Sequence, residues 1–215
     1  MKLPDPLISK LTSRKNNNTL RILTTSHKRI DFSSNDYLGF SRHKTITKAV
    51  ESASKKTVFV NGSTGSRLLS GNHAIHIEVE NELATFFNTP AALLFNSGYD
   101  ANLGLLSCVP QRGDIILYDE LCHASIRDGI QLSNAKSYKF QHNDFEDLER
   151  LLLKLSTDNQ QPTTIYIVTE SVFSMDGDTP NLEELVQLCN KNNCFLVVDE
   201  AHALGVFGDD GEGLV

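Results

Sequence analysis

From Ala91 onward the chain alternates in a way that leaves few folds open. Short apolar runs suited to strands, at Ala91–Phe95, Ile115–Tyr118, Ser137–Phe140, Ile165–Thr169 and Phe195–Val198, are separated by stretches of helical periodicity. Those stretches are Asn102–Val109, Ala124–Leu132, Phe145–Leu155 and Leu182–Asn192. Parallel strands need a crossover of a dozen or more residues, usually a helix, and the spacing here supplies it each time. The expected fold is α/β, three layers αβα around a mainly parallel sheet. Asn143 with Glu146 and Asn181 with Glu184 stand at capping-box spacing and mark two helix starts.

Upstream, helices are expected at Leu7–Arg14, His43–Lys55 and about His73 to Phe87, the last from Ile75, Val79, Leu83 and Phe86 at helical spacing. Between the last two lies Asn61–Gly71, with three glycines and several hydroxyls, which reads as a flexible hydrogen-bonding loop. The expected division is an N-terminal arm, residues 1–40, and a large domain, residues 41–215. His73 and His76 stand three apart on one helix without a convincing third metal ligand, so they read as surface or loop-facing histidines and no metal is expected.

A net charge of −7 argues against a nucleic-acid or anionic-membrane surface. The four cysteines, Cys108, Cys122, Cys189 and Cys194, form no CxxC pair and no zinc-ribbon spacing. No run has the length of a membrane span, and Met1–Asp5 lacks the apolar core of a signal peptide, so a cytoplasmic location is expected.

Ligands of open parallel sheets sit outside the carboxyl ends of the strands, and here the loops at those ends carry the polar residues. Asn96-Ser97-Gly98-Tyr99 enters a helix whose first N–H groups suit a phosphate. Asp119–Ser125 contains His123, and Glu170–Asp178 is acidic but lacks EF-hand spacing. The strand Phe195–Val198 ends at Asp199-Glu200-Ala201-His202, which taken alone matches the Walker B segment of an ATPase. No Gly-Lys dipeptide exists for a P-loop, which removes that reading. A phosphate cradle, an imidazole, hydroxyls and an aspartate on one rim suit a phosphorylated aromatic cation. Pyridoxal 5′-phosphate fits, because its pyridinium nitrogen needs a carboxylate partner.

The ordered segments Ser34–Gly39, Gly65-Ser66-Arg67-x-x-Ser70-Gly71, Ser97-Gly98-Tyr99-x-Ala101-Asn102, His123-Ala124-Ser125, Phe140-x-His142-Asn143-Asp144, Thr169–Asp178 and Val198–His202 resemble the α-oxoamine synthases. These are fold-type I pyridoxal-phosphate enzymes, with the aspartate aminotransferase-like large domain, that join an amino acid to an acyl-CoA. Within the family the Gly-Ser-Arg loop and the Thr169–Asp178 stretch are most similar to the 8-amino-7-oxononanoate synthases of biotin synthesis. The resemblance implies condensation of L-alanine with a pimeloyl thioester, on CoA or a carrier protein, with loss of carbon dioxide. A glycine C-acetyltransferase-like activity is the alternative. The resemblance to the family implies a homodimer, Gly98 and Tyr99 against the cofactor phosphate or its entry to the ring, and His123 stacked on the ring and facing substrate. It further implies Ser174 and His202 near the ring's 3′ oxygen, Asp199 on the ring nitrogen, and Glu170 in support. Catalytic roles fall on His123, Asp199 and His202. For substrate it implies Asn35 on a carboxylate and Arg21 on the acyl chain, with Arg14 or Arg29 as substitutes. The lysine that holds the cofactor in this family lies beyond the last residue here. The chain is therefore expected to be an inactive first part of a longer synthase, the alternative being a lysine-less partner subunit.

Overall fold

A computed structural model of the chain describes residues 3–23, 30–56, 62–158 and 164–215. It divides into two units, one up to Asn35 and one from Asp36 onward. In the first, helix α1 (Asp5–Asn16) places Asp5 in its first turn and Arg14 and Lys15 in its last, matching the helix dipole at both ends.

The second unit opens with a 3-10 turn at Phe40–Arg42, α2 (Lys44–Lys56) and α3 (Ala74–Phe86). There follow α4 (Gly98–Cys108), β1 (Ile115–Asp119), α5 (Ala124–Leu132), β2 (Lys136–Phe140), α6 (Phe145–Asp158), β3 (Ile165–Glu170), α7 (Leu182–Asn192) and β4 (Phe195–Asp199). The four strands are all parallel, in the order β2-β1-β3-β4. The chain runs outward from β1 to β2, then returns past β1 to β3, so the direction of winding reverses between β1 and β3. That reversal is where an open α/β sheet forms a ligand crevice at the strands' carboxyl ends.

Alternation along β1 decides which helices cover which face. Ile115 and Leu117 pack with Leu148 and Leu152 of α6 and Leu185 and Leu188 of α7. Ile116, between them, packs with Leu106 of α4 and Ile126 and Ile130 of α5. The period-2 direction of strand side chains thus builds two cores from one strand and gives the expected three layers. On the α4/α5 side the helices meet closely at Gly129. A Cβ there would stand 2.8 Å from the Asn102 carbonyl oxygen and 3.0 Å from the Leu106 Cβ.

Two local expectations are corrected. Ala91–Phe95 is not a strand: it has no ladder partner among the described residues. The Leu94 N–H instead donates to Glu80 Oε1 at 2.8 Å, so a side chain takes the place of a neighbouring strand. The start of α6 is capped by Asp144, whose Oδ1 accepts the Asp147 N–H at 2.9 Å, rather than by Asn143. Asn143 adopts φ 53° and turns its amide to Asp178. The Asn181–Glu184 pair does cap α7: Asn181 Oδ1 accepts the Glu184 N–H, and its amide donates to Glu184 Oε2.

The Gly129 crossing gives a stability test. Gly129→Ala pushes backbone against backbone and should cost about 1–3 kcal/mol, read as a lower denaturant midpoint at unchanged slope. An unchanged midpoint would mean that α4 and α5 do not approach this closely.

Candidate active site

Three neighbouring strands end in acids: β1 at Asp119, β3 at Glu170 and β4 at Asp199. Glu170 and Asp199 are paired in register, which sets their side chains next to each other on the same side of the sheet. Each carboxylate is handled differently by its surroundings.

Asp119 is fully buried and accepts the N–H groups of Leu121 and Asn143, each at 2.9 Å. His142 Nδ1 stands 2.9 Å from its Oδ1, while His142 Nε2 stands 2.8 Å from Asp178 Oδ2. A carboxylate can only accept, so both ring nitrogens carry protons and His142 is an imidazolium between two aspartates. Burial opposes that charge, but the hydrogen bonds and charges of Asp119 and Asp178 hold its pKa above the ordinary histidine value. The ring also packs edge-on against Phe173, with centroids 4.5 Å apart. The cation thereby ties the segments after β1 and β2 to the segment after β3.

Glu170 is buried, and its carboxyl is pushed up to about 7, first by burial and then by the nearby charges of Asp199 and Asp119. It accepts the His123 N–H at 2.5 Å and the Ser174 N–H. Asp199 is half-buried. Its Oδ1 accepts the Ala201 N–H at 2.9 Å and its Oδ2 the Asn102 amide at 2.7 Å.

His123 caps α5: its Nδ1 lies 2.8 Å from Ser125 Oγ and accepts the Ser125 N–H at 3.3 Å. Its ring is exposed on the rim, edge-on to Tyr99 with centroids 6.3 Å apart, and the Tyr99 hydroxyl donates to Asp128. Ser97 caps α4 by accepting the Asp100 N–H at 3.1 Å. A Cβ on Gly98 would meet nothing within 4 Å, so the space beside the first residue of α4 is open. His202 Nδ1 stands 2.6 Å from the Tyr37 hydroxyl, and Ser174 is exposed. In the Asp36–Val215 unit, the strand ends and the start of α4 thus supply Gly98, Tyr99, His123, Glu170, Ser174, Asp199 and His202.

Arg21 and Asn35 belong to the N-terminal unit. There Arg21 and Arg14 line a recess of about 610 Å³ with Asn18, Thr19 and Leu20. Arg29 lies outside the described residues.

The Gly-Ser-Arg loop is more firmly tied than a flexible loop would be. Arg67 grips Glu80 through both terminal nitrogens, at 2.6 and 2.9 Å, and Asn72 through Nε. That guanidinium holds the Glu80 carboxyl well below the usual carboxylate range. His73 and His76 stack at the start of α3, where the His73 N–H donates to His76 Nδ1. Among the described residues no group of three or more His, Cys, Asp or Glu could hold a metal ion, and all four cysteines are free.

Residue-level reading of the sequence assigned no role to the Asp119–His142–Asp178 bridge or to Asn102. Phe-x-His-Asn-Asp was visible as a motif, but its partners are 23 and 36 residues from His142 and meet it only once β1, β2 and β3 are assembled.

The family model for aminotransferase class I and II matches residues 27–213. A putative 8-amino-7-oxononanoate synthase of Bacillus licheniformis is 44% identical over 99% of this chain and 55% of its own length. A serine palmitoyltransferase from S. paucimobilis, solved with PLP and myriocin bound, superposes with a TM-score of 0.81. It is 31% identical over 97% of this chain and 56% of that one. An 8-amino-7-oxononanoate synthase from Francisella tularensis gives a TM-score of 0.65 and 34% identity over 86% and 49%. The chain spans about half the length of the curated relatives it matches.

The His142 bridge has a pH signature. A histidine whose folded pKa is raised contributes stability that is complete below its unfolded value, about 6.5, and is lost as pH rises through the folded one. The melting-temperature gap between the native protein and His142→Ala should therefore be full below about pH 6.5 and narrow as the pH rises above it. A gap that stays constant or widens would mean that His142 is not the cation of this bridge.

Proposed function

The chain belongs to the aminotransferase class I and II family, and we propose from that premise that the whole protein uses pyridoxal 5′-phosphate to join an amino acid to an acyl thioester. L-alanine and a pimeloyl thioester, on CoA or a carrier protein, are the favoured pair, with decarboxylation, as in biotin synthesis. The name carried by the 44%-identical Bacillus relative supports that choice. The whole protein is read as a homodimer acting in the cytoplasm. No helix among the described residues is long and apolar enough to cross a membrane.

The observation that carries the reading is Asp199, a half-buried carboxylate at a strand end that accepts from Asn102 of α4, on the rim that also carries the exposed imidazole of His123. The donor set fits the cofactor. The N–H groups at Gly98 and Tyr99 would take its phosphate, and His123 would stack on its ring. Asp199 would accept from its ring nitrogen, with His202 and Ser174 near its 3′ oxygen. When bound, that cofactor supplies an electron sink for the bond broken at the amino acid's α-carbon.

The remaining chemistry belongs to the chain's own groups. The Asp199 carboxylate, half-buried at the rim, favours a protonated ring and an ammonium substrate over neutral ones. His202 is held by Tyr37 at 2.6 Å, which fixes the direction of its ring. His123 presents its Nε2 edge outward, where it can donate to a substrate oxygen and orient the substrate over the ring. Asn35 and Arg21 are the proposed partners of the substrate carboxylate and acyl chain.

In the full-length protein, L-alanine should shift a visible cofactor band, whereas a shift with glycine or serine alone would move the substrate to those amino acids. Asp199→Asn should lower turnover about 10²-fold, the rate factor of about 3 kcal/mol. Its folding should change by only about 1–2 kcal/mol, because one of its two hydrogen-bond donors is still satisfied. Turnover near the native value would contradict the role of Asp199.

A further inference from the structure

Asn102 lies on α4, between β4 and α5, and no step above uses it. Its Nδ2 stands 2.7 Å from Asp199 Oδ2 and 3.0 Å from Ser125 Oγ. The orientation of the amide follows from the chemistry of its partner. A carboxylate only accepts, so the edge toward Asp199 must be the NH2 group, and the second N–H is then free to donate to Ser125 Oγ. With its oxygen accepting from Asn102, the Ser125 hydroxyl has its hydrogen left for His123 Nδ1, 2.8 Å away. The Ser125 N–H donates to the same nitrogen at 3.3 Å. Both donors require an unprotonated Nδ1, so the neutral ring carries its proton on Nε2, the edge that faces the rim.

The placement is built. Ser125 is fully buried, so no water competes for its hydroxyl. Gly129, one turn further along α5, lets α4 approach until a Cβ would touch the Asn102 carbonyl oxygen.

We infer that Asn102 and Ser125 are positioning residues, a relay that sets the tautomer of His123 from the carboxylate of Asp199. Donation runs outward from Asn102, to the Asp199 carboxylate on one side and on the other to the Ser125 hydroxyl, which donates in turn to the His123 imidazole, with the orientation of the amide set at the Asp199 end. Its meaning for catalysis rests on the cofactor reading above. It makes the group that orients the ring nitrogen and the group that faces the substrate parts of one hydrogen-bonded unit. Without Asn102, the Ser125 hydroxyl is free to turn and accept from Nδ1–H, only the longer Ser125 N–H contact at 3.3 Å still favours an unprotonated Nδ1, and the second tautomer becomes more accessible to His123.

The test reads the tautomer directly by nitrogen NMR of the histidine-labelled full-length protein without cofactor, so it does not depend on whether cofactor binding or turnover survives. In the native protein His123 should show an unprotonated Nδ1. Asn102→Ala and Ser125→Ala should each move that resonance toward a tautomer mixture. Asn102→Ala added to Ser125→Ala should move it no further, because the relay is already cut, whereas a merely structural role for Asn102 would add its own shift. A native-like His123 signal in folded Asn102→Ala, or additive shifts in the double variant, overturns the relay. If Asn102→Ala does not fold, Ser125→Ala decides alone: an unmoved resonance overturns the relay and a moved one supports it.

Discussion

Three adjacent parallel strands each finish on a carboxylate, and the second unit is organised around keeping Asp119, Glu170 and Asp199 satisfied within one crevice. Like charges so close cannot all be left to water or all be buried bare. The protein gives each a different environment. Asp119 is sealed in and given a full cation, His142, together with two backbone donors. Glu170 is sealed in without a cation, and its carboxyl rises to about 7. Asp199 is left half-open with two donors and one side toward the rim. Separating the behaviour of neighbouring acids by environment is how a site assigns them different tasks. Asp199 is the one left able to meet a bound cation.

The same arrangement orders the loops. His142 and Asn143 both reach Asp178, and the Ser174 N–H goes to Glu170, so the Glu170–Asp178 segment is pinned at both ends. On the opposite face, Asn102 ties α4 to the end of β4 and to the start of α5. Further along, Glu200 Oε1 accepts the Leu214 N–H at 2.7 Å, and a Cβ on Gly213 would collide with the Glu200 carboxylate. Backbone and side-chain donors thus meet the carboxylates of the rim and tie together the segments that carry them.

Elements whose causes are local were readable in the sequence. Ala124–Leu132 and Leu182–Asn192 are helices with the bounds expected, because a helix's apolar stripe and cap lie within its own few turns. The four strands that do pair were placed to within a residue at each end, and β1, β3 and β4 are largely apolar runs in the sequence. Ala91–Phe95 has strand composition, but a strand exists only by pairing, and no paired neighbour stands among the described residues. Asn143 had the spacing of a cap, yet Asp144 beside it could serve as well, and Asp178, far away in sequence, drew the asparagine off. At the site, Asp199 and His202 were visible as the end of a buried strand, and Gly98 as a helix entry. The roles of His123, Ser174 and Glu170 came from resemblance, since each alone reads as an ordinary capping or turn residue. His142 and Asn102 stood inside recognised motifs, but their charge and hydrogen-bond direction appear only once three strands and two helices are assembled.

In the proposed function Asp199 and His123 form two walls of one cofactor pocket. A crystal structure of the full-length protein grown with pyridoxal 5′-phosphate tests it most directly. The ring nitrogen is expected within hydrogen-bond distance of Asp199, the His123 imidazole stacked on the ring, and the phosphate at the N-terminus of α4. A cofactor bound away from β4, or with its phosphate rather than its ring nitrogen toward Asp199, would contradict it.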